Sequence, residues 1–360
     1  NSTERFWIDK TSGRALQRLL AEEGEVEVEL HARMDWEKTL AHNILGTVPG
    51  TDPELKDQIV VINAYYDAMS VVPALAPGAE MASGIVALLE LADYFQRYPP
   101  ARTVLFLASS AHHLGYRGIS DFLRRHARKQ EDFAALMTDP IDIRLFIALD
   151  LSSRTDEIGL WNSTPSHYYK RFFTPIGKSF VRFSGAIAET FGLDPDRALI
   201  DGVNPPPGLT WDIYNPGKIV KTEGLVVMEA GTPALSLVTL NDVRLRVDTP
   251  LDQAGLVNFE NLTGQIRLLS GVIDLALNDP GLITEHQLRP EDQVRWLKGY
   301  AMTFPRRSII PDRPKLGAIA AVRIGTGTRY PSPKSDKGVR QTRYALADEN
   351  GEFIIPGIIG

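Results

Sequence analysis

"VLFLASSAHHLGYRGISDFL", Val104 to Leu123, opens with an apolar run, Val104 to Ala108, that ends in two serines. Two adjacent histidines follow, His112 and His113, and then Gly115. Beyond the glycine, Ile119, Phe122 and Leu123 fall at helical spacing. The stretch reads as strand, loop and helix, with two imidazoles where a parallel sheet presents its ligand-binding edge.

The same rhythm extends to both sides. "HNILGTVPG" (42–50) is strand then turn, "TDPELKD" (51–57) a polar loop, and "QIVVINAYYD" (58–67) a buried strand. "ASGIVALLELADYFQRY" (82–98) is a helix with Ile85, Leu88, Leu89, Ala92 and Phe95 on one face. "IRLFIALD" (143–150) and "PALSLVTL" (233–240) are further apolar strands. "VNFENLTGQIRLLSGVIDLAL" (257–277) is a long amphipathic helix carrying Phe259, Leu262, Ile266, Leu269 and Ile273. Apolar strands separated by helices predict an α/β fold, a mostly parallel twisted sheet with helices on both faces.

Three regions depart from that pattern. "TSGRALQRLLAEEG" (11–24) reads as a helix and "EVEVELH" (25–31) as a half-buried strand, by strict alternation. Tyr168 to Asn215, with its run of prolines, is too long for a simple crossover and predicts an excursion over the sheet edge. After Asp279 comes a Pro/Arg-rich connector, "FPRRSIIPDRPKLG" (304–317), and then a tail of β composition with a turn at Asn350-Gly351.

Composition narrows the chemistry. The chain has no cysteine, which excludes thiol catalysis, disulfides and cysteine-ligated zinc. A formal net charge of −6 gives no reason to expect nucleic acid as a partner, and no apolar run has the length of a membrane span. Any metal must therefore be held by carboxylates, tyrosine or the seven histidines. Such residues do collect at the strand ends: Tyr65 and Asp67, Glu80, His112 and His113, Asp150, Asp248 and Asp252. Singly, each is an ordinary cap or loop residue. Together they have the composition of a divalent-metal site.

The order of these segments resembles the co-catalytic zinc aminopeptidase family, whose relatives include glutamate carboxypeptidase, transferrin receptor and nicastrin. The resemblance covers about 41–278. "NILGTVPGTDPELKDQIVVINAYYDA" is similar to that family's N-V-I-G-x-I-P-G segment and A-H-Y-D strand end. "PGAEMASGIVALLELA" is similar to G-A-x-D-N-A-S-G-V-A-x-L-L-E-x-A, and "SAHHLGYRGISDF" to A-E-E-x-G-L-x-G-S. "IALDL" matches the N-L-D-M strand end, "EAGTPAL" matches x-A-G-I-P-A-L, and "VDTPLD" matches H-T-x-x-D.

What the resemblance implies for the site departs from the family at the metal itself. The positions of the family's first zinc-binding His, bridging Asp and second Asp fall on Tyr65, Glu80 and Asp150. Its general-base Glu and Glu ligand fall on His112 and His113, and its distal His on Asp248. Only Asp150 keeps the family's residue type, along with the supporting Asp67. The S-D-H-x-P-F element has become "TEGLVV" (222–227), read as having lost its polar groups. Tyrosine must ionise from a pKa of about 10 to bind a metal. Glu80 in place of Asp displaces a bridging oxygen by roughly an ångström, against a two-metal spacing of about 3.5–4 Å. His112 in place of the base becomes cationic on accepting a proton beside a metal.

These departures predict a peptidase-fold domain without aminopeptidase chemistry, a pseudo-peptidase used for binding or scaffolding a peptide or protein ligand. Two alternatives stay open. One is a divergent zinc metallopeptidase with His112 as base; the other is a structural site holding one divalent metal. The expected organisation is a protease-associated-like segment at 1–40, the α/β domain at 41–280, a connector at 281–315 and a partial carboxypeptidase-regulatory-like β module at 316–360. "EVEVELHA" and "ALADENGEFIIPGI" carry those flanking resemblances. Such modules are usual on exported proteins, so the expected setting is extracytoplasmic, in a parent protein that extends in both directions.

Overall fold

The structure, a computed structural model, describes residues 6–31, 33, 37, 39–126, 141–161, 170–192, 199–204, 222–229, 232–283, 294–304, 310–324 and 341–359. Its centre is a seven-stranded sheet in the order β1-β3-β2-β4-β7-β5-β6. The strands are β1 (Ile44–Val48), β2 (Ile59–Tyr65), β3 (Val104–Ser109), β4 (Ile143–Asp150), β5 (Ile158–Trp161), β6 (Leu199–Asp201) and β7 (Ala234–Thr239). β3, β2, β4 and β7 are parallel neighbours, so their carboxyl ends share one edge. β1 joins β3 antiparallel at one margin, and β5 joins β7 antiparallel at the other, carrying β6 with it.

Helices cover both faces, as apolar strands buried on two sides require. α1 (Lys10–Glu23) stands apart from them; the covering helices are α2 (Ser83–Arg97), α3 (Arg117–His126), α4 (Lys170–Phe191), α5 (Glu223–Glu229) and α6 (Phe259–Asn278). α2 and α4 pack on α6, whereas α3 packs on α5. Ala64 of β2 lies under Gly84 of α2, while Ala148 of β4 lies under Gly224 of α5. Alternation along paired strands puts those alanines on opposite faces.

The helical periodicity was legible, but its phase shifted. In α2 the buried side chains are Ala87, Leu88, Leu91 and Phe95, and Leu89 faces solvent. In α6, Phe259 is exposed, and burial runs through Leu262, Leu269, Val272, Ile273 and Ala276. "EVEVELH" forms no strand: Val28 and Leu30 are exposed, and no ladder partner reaches them among the described residues. Alternation supplies a face, but a strand also needs backbone partners.

The expected excursion from Tyr168 to Asn215 contains an ordered pair of elements. α4 runs 22 residues with Pro175 inside it, and β6 extends the sheet margin. The rest of it, 168–169, 193–198 and 205–215, lies outside the described residues.

Past α6, three two-stranded antiparallel ladders form. β8 (Val294–Tyr300) pairs β13 (Glu352–Ile359), β9 (Met302–Thr303) pairs β10 (Arg313–Pro314), and β11 (Ile319–Ile324) pairs β12 (Gln341–Leu346). β8 thus arises inside the stretch 281–315, expected as a connector. The Asn350-Gly351 turn is present, with Gly351 at φ 75°, but it joins strands of different ladders. Among the described residues no helix is long and apolar enough to cross a membrane.

Candidate functional site

The carboxyl edge of the four parallel strands holds most of the expected residues. Tyr65 ends β2 in register with Ser109, which ends β3, and Asp150 ends β4 in register with Val238 of β7. After Ser109 the chain turns sharply: Ala111 has φ 54°, Gly115 φ 76° and Tyr116 φ 61°. His112 and His113 sit between those left-handed residues in a single 3-10 turn. Gly118, just beyond, has no room for a side chain, because a Cβ there would stand 2.1 Å from the Ser110 carbonyl oxygen. That close approach pins α3 to the strand end.

The aromatic groups stack on one another. The Tyr65 ring lies on the His112 ring at 3.9 Å, nearly parallel, and meets the His113 ring edge-on at 5.8 Å. Asp67 holds the turn, its Oδ1 accepting from the His112 backbone N–H at 3.1 Å. Burial, then the charge of Asp150, drives the Tyr65 phenol well above its ordinary pKa; Arg244 opposes that, and Glu223 and Asp248 add to it. Tyr65 is therefore a neutral phenol. Burial, then His112, lowers the His113 pKa, with Asp67, Asp248 and Asp150 acting in the opposite sense. Tyr65, His113, Asp150 and Asp248 thus share one electrostatic environment.

Glu80 is engaged elsewhere. Its Oε2 accepts from the Ser153 backbone N–H at 2.7 Å and its Oε1 from the Ser153 hydroxyl at 2.8 Å. The Glu80 backbone N–H donates to Asp252 Oδ1 at 2.7 Å. Both carboxylate oxygens are thus spent on tying the loop before α2 to the loop after β4.

Two residues outside the expected set prove central. Arg244, in the loop after β7, places Nη1 2.5 Å from Asp150 Oδ1 and Nη2 2.7 Å from the Asp150 backbone oxygen. The pair is largely enclosed, the side chains being 15% and 7% exposed. Although burial alone would lower the Arg244 pKa, Asp150, Tyr65 and Asp242 together raise it, so the guanidinium stays charged. The second residue is Glu223, at the start of α5. It is buried, accepts from the Ser109 hydroxyl at 2.5 Å and lies 3.5 Å from His112 Nδ1. "TEGLVV" therefore keeps a polar group in the site, where the sequence reading expected the element's polar groups to be lost.

A metal was expected here as a possibility, with Tyr65, Glu80, His113, Asp150 and Asp248 as its ligands. The residues do not fit one. Asp150 already holds a cation, Tyr65 is protonated and Glu80 is occupied. Among the described residues no three carboxylate or imidazole groups stand at metal-ligand spacing. His113 Nε2 and Asp248 Oδ1 remain buried without a hydrogen-bond partner, as do His112 Nδ1 and Glu223 Oε1. At the same edge Arg244 (φ 49°) and Asp248 (φ 65°) are also left-handed.

A signal for Arg244 was available. β7 lies beside β4, so any residue in the loop after β7 is a neighbour of Asp150. An arginine is no metal ligand, so a pattern read for carboxylates, histidine and tyrosine passes over it.

Residues 43–190 match the Peptidase family M28 model. A canine protein, BOS complex subunit NCLN, is 33% identical over 145 residues, covering 38% of this chain and 24% of its own length. A probable zinc metalloprotease of Pyrenophora tritici-repentis is 27% identical over 163 residues, covering 38% and 37%. Among solved structures, an aminopeptidase from Aneurinibacillus sp. strain AM-1 overlays with a TM-score of 0.46 at 18% identity, covering 79% of this chain and 58% of its own. The chain spans less than two fifths of the length of the two sequence relatives. Arg244, Glu223 and Asp248 lie beyond the stretch that the family model matches. Over residues 43–190, then, the chain is similar to peptidase family M28.

Proposed function

We propose that this domain is a non-catalytic member of its family, a peptidase-fold module that binds or scaffolds a peptide or protein ligand. The observation that carries this reading is the Arg244–Asp150 pair. Asp150 is the one expected ligand position that keeps the family's residue type, and its carboxylate is committed to a guanidinium 2.5 Å away. Metal-assisted hydrolysis needs a polarised carbonyl and an activated water, both of which depend on an available ligand set. A subunit of a complex among the relatives supports the binding role. An extracytoplasmic setting, and 41–280 as the functional unit with flanking modules, belong to the same proposal.

The test is a panel of aminoacyl-nitroanilides and dipeptides assayed with added zinc, cobalt and manganese, with His112→Ala as control. No turnover above background is expected. Turnover that disappears in His112→Ala would overturn the reading.

The contact between His112 and Glu223 favours one alternative, a divergent hydrolase. An imidazole within 3.5 Å of a buried carboxylate has the composition of an acid–base pair. The same assay decides it, with Glu223→Gln added. Loss of activity in both variants is the outcome that supports this alternative.

A further inference from the structure

We propose that the unpaired segment Glu25–His31 of one copy adds as a strand to the open edge of β1 in a second copy, so that two chains exchange these segments and form a dimer. The inference goes beyond the non-catalytic reading and does not depend on it.

The first observation is an edge without protection. β1 closes one margin of the seven-stranded sheet and pairs with β3 alone. Among the described residues, no backbone hydrogen bond outside that ladder reaches Ile44–Val48. Edge strands are normally blunted by charge, proline or a bulge. "ILGTV" carries neither charge nor proline, and its register with β3 runs without a shift. Ile44 is 60% exposed and Leu45 42%. The edge is also fixed at its start: Asn43 Nδ2 donates to the Gly118 oxygen at 2.8 Å, and Asn43 Oδ1 accepts from the Ser110 backbone N–H at 3.2 Å.

Charge lies on one face of that edge. Alternation puts Asn43 and Leu45 on the side of α3, and both line a groove of about 650 Å³ with Arg117, Arg124 and Arg125. Arg124 and Arg125 share one carboxylate, Asp121, at 2.8 Å each, and Arg117 is in no ion pair among the described residues. On the opposite wall Glu352 is paired with Lys298 at 2.6 Å, and Asp348 accepts from the backbone N–H groups of Asn350 and Glu352. The α3 wall therefore carries uncompensated positive charge.

"EVEVELH" is its complement. As a strand, Glu25, Glu27 and Glu29 share one face, while Val26, Val28 and Leu30 share the other. Glu29 lies 2.8 Å from His31, and Glu25 and Glu27 have no ionic partner among the described residues. Laid along β1 with its glutamates towards α3, the segment sets carboxylates against the arginines and apolar side chains against Ile44. A slip of one residue would reverse both contacts, so the pattern itself selects the face. Backbone pairing then satisfies two open edges at once, and the alternate side chains supply specificity. Within its own chain the segment has no ladder partner among the described residues, and a second copy offers the same edge. Reciprocal exchange gives each copy one donated and one accepted strand, the closed symmetry of a dimer.

The experiment follows the 360-residue chain by analytical ultracentrifugation over a range of concentrations, with hydrogen exchange read at residues 26–30 and 44–48. Wild type is expected to dimerise, and both sets of amides to gain protection as concentration rises. Two charge reversals are compared with it: Glu25→Lys/Glu27→Lys/Glu29→Lys in the strand, and Arg117→Glu/Arg125→Glu in the groove. All five positions are exposed, so the fold itself is not at stake. Exposed ion pairs contribute little singly, and each combined reversal should weaken the dimer by about 10- to 100-fold. An equimolar mixture of the two variants should recover the affinity, because each strand then meets opposite charge on the other copy.

A chain that stays monomeric at every concentration overturns the proposal, as does a dimer indifferent to both reversals. Protection of 26–30 that does not change with concentration assigns the strand to its own chain and overturns it too. A mixture of the two variants that fails to associate excludes reciprocal exchange. None of these outcomes touches the non-catalytic reading, which the peptidase assay decides separately.

Discussion

Two enclosed arginines stand at opposite ends of the same sheet. Arg102 precedes β3 at the amino edge and is 0% exposed. Its Nε donates to Gln58 Oε1, and its Nη1 to the backbone oxygens of Ala276, Leu277 and Asp279 at 3.3, 3.1 and 2.7 Å. Those carbonyls end α6, where orphaned acceptors and the negative end of the helix dipole collect. Arg244, at the carboxyl edge, is held by a carboxylate. One arginine completes a helix and the other completes a charge. A cation satisfied by several backbone carbonyls has no single partner to trade, whereas one satisfied by a carboxylate can in principle be exchanged for another cation.

The largest effect should come from the amino edge. Arg102→Ala strands the Ala276 and Leu277 carbonyls and leaves a cavity in a buried site, an expected loss of about 3–5 kcal/mol in urea unfolding. No single companion substitution should recover it. A loss under about 1 kcal/mol would mean that water replaces the guanidinium, and the contrast between the two ends would collapse.

At the carboxyl edge, Arg244→Ala should cost about 2–4 kcal/mol by leaving the Asp150 charge uncompensated, reduced by the partial solvent access of the pair. Here a companion does help. Asp150→Asn combined with Arg244→Ala is expected to be more stable than Arg244→Ala alone, because the stranded charge has gone. Additive losses in that double-mutant cycle, measured by the same denaturation, would show the pair to be uncoupled.

Glu223 sharpens the point from within the same edge. Glu223→Gln keeps an acceptor for the Ser109 hydroxyl and removes a buried charge that no arginine matches among the described residues. It should change stability by less than about 1 kcal/mol, well below the cost of Asp150→Asn, which strands Arg244.

The smallest effect lies on the helix that Arg102 caps. Burial raises the Asp274 carboxyl above its ordinary pKa of 3.8, with hydrogen bonds from Asn278 and Tyr94 opposing. An acid whose folded pKa is raised disfavours the fold when ionised, so its cost is present at neutral pH and fades as pH falls through that raised value towards 3.8. Asp274→Asn should therefore stabilise by a few tenths of a kcal/mol (about 0.5 at most) at pH 7 and be neutral near pH 3. Melting curves at the two pH values check it.

Much of this architecture could be read in advance, for reasons visible in particular residues. "IVVINAY", "VLFLAS" and "IRLFIALD" are apolar on both faces, which only a sheet covered by two helical layers can use. Strand ends then located Tyr65, His112, His113 and Asp150 at one edge. Helix faces were legible only in part: Leu88 and Phe95 are buried as spaced, but Leu89 and Leu91 differ by about half a turn, and packing rather than periodicity chose Leu91. "EVEVELH" misled, because alternation says nothing about whether a ladder partner exists.

What the sequence by itself determined is the set of segments and the kinds of residue at their ends, since local patterns of apolar spacing and loop chemistry depend on near neighbours along the chain. The tertiary structure alone decided which of those end residues bind one another. Arg244 and Asp150 are 94 positions apart, and Ser109 and Glu223 are 114 apart. Their pairing follows from β4 lying beside β7 and from α5 packing under the strand ends, facts of adjacency that no local pattern encodes. For the same reason Glu80, which reads like a ligand in its loop, is spent on Ser153, 73 residues away. A charged side chain takes its role from the charge that the fold places opposite it.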